Sequence, residues 1–220
     1  MMRAMSFNET AQMLVEIGAG FHRRGWVLGT SGNFSAALER DPLRVAITES
    51  AADKGHLTVD QILQIDERGN VLRPEGARPS AETLVHLAVF RKTNAGSVLH
   101  THSVWSTLLS DRAAVDGGFA IEGYEMLKGL AGVGTHEHRE WIPVLENTQD
   151  MKALAGRVEG LLAEQPAIHG FLIRRHGLYT WGNNLDEAAR HVEILEFLME
   201  VLWRSFEFRN TTGRSAAKAK

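Results

Sequence analysis

Residues 186–206 carry apolar side chains at Ala188, Val192, Leu195, Met199, Leu202 and Phe206 at helical spacing, with a second apolar row at Ile194, Phe197, Val201 and Trp203. A helix apolar on two sides cannot lie on a surface; it has to pack against both the core and a neighbouring element. The rest of the chain must therefore supply a broad apolar partner. At 220 residues it is long enough to do so as one sizeable domain, without disulfides as staples.

The segments before that helix alternate between helical and strand spacing. Ser6-Phe-Asn-Glu9 is a capping-box pattern that opens an apolar row at Met13, Leu14, Ile17 and Phe21, which predicts a first helix ending near Gly25. Gly29-Thr-Ser-Gly-Asn33 breaks it, and short strand-like runs over 34–38 and 43–48 flank an Arg40-Asp-Pro42 turn. Thr58-Val-Asp-Gln61 suggests a short helix start, and Ser80 is expected to cap a helix through Leu84, Leu87 and Ala88. A buried strand over 96–102, a strand over 141–145, a helix over 150–164 and two strand arms around His176-Gly177 complete a mixed α and β order. The polar, basic stretch 210–220 is expected to be an unordered tail beyond a domain covering 1–209.

Composition narrows the function classes. A net charge of -3 gives no general basic surface, so neither nucleic acid nor an anionic membrane is expected as a partner. There is no cysteine, which removes thiolate ligands and cysteine nucleophiles and fits a reducing, cytoplasmic compartment. The first residues lack an apolar leader core, and no stretch approaches the roughly 20 apolar residues of a membrane span.

The chemistry centres on Val98-Leu-His-Thr-His-Ser103. On a strand, His100 and His102 point to one face roughly 6.5 Å apart, a separation that one metal ion can bridge. A catalytic metal needs a third ligand and an open position, and His176, in a tight turn after a strand, is the best third ligand. His136-Glu-His138 is a competing pair on a polar stretch with no apolar run to hold it. His22, His56, His86, His169 and His191 carry no sequence signal beyond packing or surface roles.

Gly29-Thr-Ser-Gly-Asn33, Arg78-Pro-Ser-Ala-Glu82, His100-Thr-His102 and Arg175-His-Gly177 occur in the order found in the class II aldolase/adducin superfamily, which the chain resembles over most of its length. Within it, Glu125-Met-Leu-Lys-Gly129 and His176-Gly-Leu-Tyr-Thr-Trp-Gly182 are most similar to the methylthioribulose-1-phosphate dehydratases. The resemblance implies a single three-layer α/β/α domain with a largely antiparallel central sheet, assembled as a homotetramer with sites near subunit interfaces. It implies one zinc ion per subunit held by His100, His102 and His176, although three imidazoles also suit iron, cobalt or manganese. Asn33 and Ser50 match the family's phosphate-binding loops, with Lys54 and Ser80 as further candidates; glycine-turn amides and hydroxyls bind phosphate oxygens without a basic surface. The chain departs from the pattern at Ser50-Ala51, where many relatives carry glycine second.

The implied reaction is dehydration of 5-methylthioribulose 1-phosphate in methionine salvage. Removing water requires loss of the C3 proton and departure of the C4 hydroxyl, with a metal stabilising the enediolate and a carboxyl group moving the protons. Glu125 matches the dehydratases' acid/base position and is preferred; Glu82 matches the aldolases' position. A class II aldolase or pentulose-phosphate 4-epimerase would use the same metal enediolate, and a non-catalytic adducin-like interaction protein would be expected to lack the histidine triad.

Overall fold

A computed structural model describes residues 5–217, with side chains placed through residue 208. Ser6 opens helix α1 (Phe7–Arg23): its hydroxyl accepts from the Glu9 amide at 3.3 Å while the Glu9 carboxylate accepts from the Ser6 amide at 2.7 Å. Both ends of the capping box are therefore made, satisfying two amides that no helical carbonyl can reach.

Strands β1 (Asn33–Arg40) and β2 (Leu43–Thr48) pair as the expected hairpin. The edge then grows through β3 (Ile62–Asp66) and β4 (Val71–Arg73). The remaining strands are β5 (Ser97–Thr101), β6 (Gly118–Glu122), β7 (Arg139–Leu145), β8 (Gly170–Ile173) and β9 (Gly177–Gly182). They form one nine-stranded sheet in the order β4-β3-β2-β1-β5-β9-β8-β7-β6. Every neighbouring pair is antiparallel apart from β7 and β8, which agrees with the largely antiparallel sheet expected.

Helices cover both faces. On one, α2 (Thr83–Lys92) and α4 (Met151–Glu164) bury Val85, Leu87, Val89, Leu154 and Val158 against Val45, Ile47, Leu63, Val98 and Phe171. On the other, α1, α3 (Val104–Ala113) and α5 (Leu185–Ala217) pack over Phe34, Ala46, Leu99, Leu172 and Leu178. Each large side chain fully buried in this way contributes about 1.5–3 kcal/mol. Helix α5 meets the two-sided demand of its sequence: Ala188, Val192, Leu195 and Met199 are sealed against the sheet, while Leu202, Trp203 and Phe206 lie half-buried against the cluster that includes Leu109 of α3. Phe197 remains 46% exposed.

Several elements differ from the sequence reading. The segment at Thr58 is one 3-10 turn, Val59–Gln61, leading straight into β3. Strand β5 ends at Thr101, so His102 follows the strand rather than closing it. Ser80 is not the cap of α2; the helix begins at Thr83 with Glu82 at the cap position, and the Ser80 hydroxyl accepts from the Glu82 amide at 3.2 Å. The expected unordered tail is helical backbone as far as Ala217, continuous with α5; residues 218–220 and the side chains from 209 onward lie outside the described residues. Among the described residues, no helix is long and apolar enough to cross a membrane.

Candidate active site with a histidine metal cluster

Register brings the functional segments to one end of the sheet. Asn33, the first residue of β1, pairs with His100 near the end of β5, and His100 pairs with Tyr179 near the start of β9. Three loops separated by long stretches of sequence therefore open at the same place: the turn before β1, the strand end before α3, and the turn between β8 and β9.

Two close backbone approaches make this possible. Gly32 has φ +73°, and a Cβ there would fall 2.7 Å from the His100 carbonyl oxygen. At Gly177 a Cβ would fall 1.9 Å from the Thr101 carbonyl oxygen. Only glycine lets β9 start this close to β5.

The three imidazoles predicted from the sequence converge. His100 Nε2 lies 2.7 Å from His102 Nε2 and 3.3 Å from His176 Nε2. Glu82 joins them, its Oε1 at 2.9 Å from His176 Nε2 and 3.7 Å from His100 Nε2. All four ligand atoms fall within 4.8 Å of one another.

The donor set fits a divalent metal. His100 Nδ1 donates to the Leu178 carbonyl at 2.8 Å, so the neutral ring presents its Nε2 lone pair to the cluster. Burial, followed by the neighbouring His176, lowers the His102 pKa to about 4, and burial drives His100 well below the usual histidine range. Three imidazoles facing one carboxylate are a donor set that zinc and similar ions take. The ring of Tyr179 stacks on His100 at 3.9 Å and fixes its plane.

Glu82 is positioned by a chain of hydrogen bonds rising from the core. The Ser35 hydroxyl donates to His86 Nδ1 at 2.7 Å, His86 Nε2–H donates to Asn33 Oδ1, and the Asn33 amide donates to Glu82 Oε2. Burial opposes ionisation of Glu82, but the hydrogen bonds it accepts from His176 and Asn33 help hold the carboxyl below its ordinary range. Burial also lowers His86 to about 4, which keeps it neutral in this relay. His86 thus does more than the packing expected of it. Its spacing on α2 gave no signal, because the partner that gives it meaning, Asn33, lies 53 residues away.

A cavity of about 290 Å³ opens beside the cluster, lined by Asn33, Ser50, Lys54, Ser80, Glu82 and His102 among others. All four phosphate candidates from the sequence therefore face one space with Glu82 and a ligand. Lys54 is 1% exposed and donates to the carbonyls of Ala52 at 2.6 Å and Thr30 at 3.3 Å. Desolvation, opposed by Asp53 and Glu82, lowers its pKa to about 8. Asn33 departs from expectation in that its side chain is committed to Glu82. Ala51 has φ +58°, a left-handed conformation that glycine adopts without strain.

The preferred acid/base, Glu125, is not brought to the cluster within one chain. It opens a 3-10 helix, Glu125–Gly129, in which Leu127 is buried but Glu125 is 73% exposed and paired with Lys128 at 2.7 Å. Its neighbour Leu127 is sealed in the core while Met126 is 40% exposed, so the segment buries one apolar side chain and leaves the carboxylate outside. Among the described residues, Glu82 is the carboxylate at the metal cluster.

Similarity to known proteins agrees with this architecture. The chain is 42% identical over 196 residues to a methylthioribulose-1-phosphate dehydratase of Sorangium cellulosum, covering 89% of this chain and 92% of that one. It is 44% identical over 201 residues to the enzyme of that name from Methylococcus capsulatus, covering 91% and 96%. The solved L-fuculose-1-phosphate aldolase of Thermus thermophilus shares the fold at a TM-score of 0.75 and 23% identity, with 93% of this chain and 99% of that chain covered. The sequence profile of the Class II Aldolase and Adducin N-terminal domain matches residues 12–203. With that profile spanning the sheet, both helical layers and the histidine cluster, the chain belongs to the class II aldolase and adducin family, and within it is most similar to methylthioribulose-1-phosphate dehydratases.

Proposed function

We propose that this chain is a zinc-dependent dehydratase converting 5-methylthioribulose 1-phosphate into 2,3-diketo-5-methylthiopentyl 1-phosphate, a step of methionine salvage in the cytoplasm. The observation that carries the reading is the convergence of His100, His102, His176 and Glu82 beside a small hydroxyl-lined cavity. The 42–44% identity to named dehydratases supports the choice of substrate.

The phosphate at C1 is suited to the Ser50 and Ser80 hydroxyls and the amides of the turn at 29–33, under the local charge of Lys54. Lys54 bridges the carbonyls of Ala52 and Thr30 and so ties together two loops that shape this space. A divalent cation, when bound, supplies stabilisation of the negative charge that develops on the ketone side as C3 loses its proton. Glu82 is oriented by Asn33 with Oε1 beside the histidine cluster, which places that oxygen to accept the proton. The C4 hydroxyl needs a proton donor to leave. Glu125 fills that role when a second copy of the chain presents it across an interface, a reading that fits a homotetramer and the carboxylate's exposure on the isolated chain.

The reading is tested by incubating zinc-loaded protein with 5-methylthioribulose 1-phosphate and following the products by mass spectrometry, with His100→Ala as control. A product lighter by one water and absent from the control is expected. The position of Glu82 favours one second reading, an aldolase; cleavage into dihydroxyacetone phosphate and methylthioacetaldehyde would establish it in place of the dehydratase. No turnover by metal-replete protein would sink the proposed substrate.

A further inference from the structure

The histidine pair set aside in the sequence reading is split by the fold. His136 turns toward Glu125, its Nδ1 at 3.9 Å from Oε2. His138 instead joins Glu140 of β7 and His169, the residue before β8. Its Nε2 lies 2.8 Å from Glu140 Oε2, and His169 Nδ1 lies 2.9 Å from that same oxygen. Glu140 is 2% exposed, far more buried than a free carboxylate tolerates.

The outward-facing atoms of Glu140 and His169 are already engaged. Glu140 Oε1 accepts from the His169 backbone amide at 3.0 Å. His169 Nε2–H donates to the Ala131 carbonyl at 2.8 Å, which in the neutral ring turns the Nδ1 lone pair onto the carboxylate. Two electron-rich atoms then face each other at 2.9 Å, an arrangement that either a proton on His169 or a metal ion between them satisfies. A backbone carbonyl behind one imidazole and an amide behind the carboxylate are the outer contacts that orient metal ligands. Two histidines and one carboxylate form a three-protein-ligand set with a position to spare. His138, His169, Lys92, Asn94 and Trp181 are among the lining of an adjoining cavity of about 600 Å³, which gives that fourth position access to water. Ligand bonds of 2.0–2.2 Å in a tetrahedral site place donor atoms roughly 3.3 Å apart, so each histidine nitrogen needs to draw back from Glu140 Oε2 by only a few tenths of an ångström.

We propose that His138, Glu140 and His169 form a second divalent-metal site, separate from the His100 cluster and suited to zinc. It braces the segment between β6 and β7. That segment is also tied down by the Ala131 amide donating to His191 Nε2 at 3.0 Å and by Arg190 donating to the Gly129 carbonyl at 3.0 Å. The brace holds the 3-10 helix that carries Glu125, a consequence that matters for catalysis only if the function proposed above is right; metal binding itself does not depend on it.

The test is metal stoichiometry. Full-length protein is stripped with chelator, reloaded with zinc, desalted and analysed by elemental mass spectrometry, alongside His138→Gln, His176→Gln and the double variant. His138 is chosen because its removal leaves the buried pair of Glu140 and His169 in place, and circular dichroism checks the fold. Two equivalents per chain are expected for the parent, one for each single variant and none for the double variant. One equivalent or less in the parent, unchanged by His138→Gln, would overturn the proposal and leave the cluster a protonated ion pair. A zinc-free His176→Gln protein would overturn it as well. Cobalt loading gives a second readout: His138→Gln should remove part of the visible d–d absorption and leave the remainder, and an unaltered spectrum counts against the site.

Discussion

Glu196 lies on α5 beneath the end of β5, 1% exposed, with its Oε1 accepting from the Thr101 hydroxyl at 2.7 Å. Burial raises its pKa from 4.5 to about 7. A carboxyl whose folded pKa exceeds its unfolded value favours folding when protonated, so its contribution is complete below pH 4.5 and is lost as pH rises toward 7. At 1.36 kcal/mol per unit the loss amounts to about 3 kcal/mol. Glu196→Gln should therefore gain about that much stability relative to the parent between pH 4.5 and 7.5, read from urea unfolding at a series of pH values; a constant difference across the series would refute the assignment. Ala51, at φ +58°, gives a second prediction: Ala51→Gly should stabilise the chain by about 1 kcal/mol through relief of left-handed strain, measured as a raised denaturation midpoint. Among site residues, the three histidines were legible because metal ligands have a restricted chemistry and His-x-His a restricted geometry. The roles of Asn33 and His86 were not, since a buried hydrogen bond between residues so far apart has no local pattern.

At the scale of elements, the approach of β9 to β5 decides whether the site exists. Gly177→Ala would place a methyl group 1.9 Å from the Thr101 carbonyl oxygen, so β9 must retreat and His176 with it. The expected result is loss of the metal binding proposed for the His100 cluster together with a lower melting temperature; an unchanged metal content after loading would show that the turn can yield without moving His176. Elements with one strong signal were read correctly: α1 by its capping box, the β1–β2 hairpin by its turn, α4 by Asp150, which caps it by accepting from the Ala153 amide at 2.9 Å. Those with divided signals were not. Strand β3 follows a helix-start pattern without a break, and α3 carries Ser106, Thr107 and Ser110 where a helix signature calls for strong helix formers. Strand β6 is a short edge strand whose five residues hold little periodicity.

For the whole molecule, the long sheet explains how one chain brings the three histidines together, while the role proposed for Glu125 calls for a second chain. Mixing His176→Ala with Glu125→Gln, each inactive alone, should restore up to about a quarter of parental activity after the subunits are dissociated and reassembled, because some sites then draw intact ligands from one copy and an intact Glu125 from another. No recovery would confine the chemistry to one chain and transfer both proton steps to Glu82. The three-layer arrangement followed from the resemblance, whereas the order of the nine strands depends on pairings between distant segments and was beyond reach of local patterning. That order also has a consequence in time. His100 and His176 are 76 residues apart, and at 5–20 residues per second a ribosome takes roughly 4–15 s to pass from one to the other. During that interval β5 can pair with β1, but its other side, which β9 will later fill, remains an unpaired apolar edge. The nascent chain thus presents two metal ligands beside an open sheet edge, and both are completed in the same event, when β9 emerges and docks.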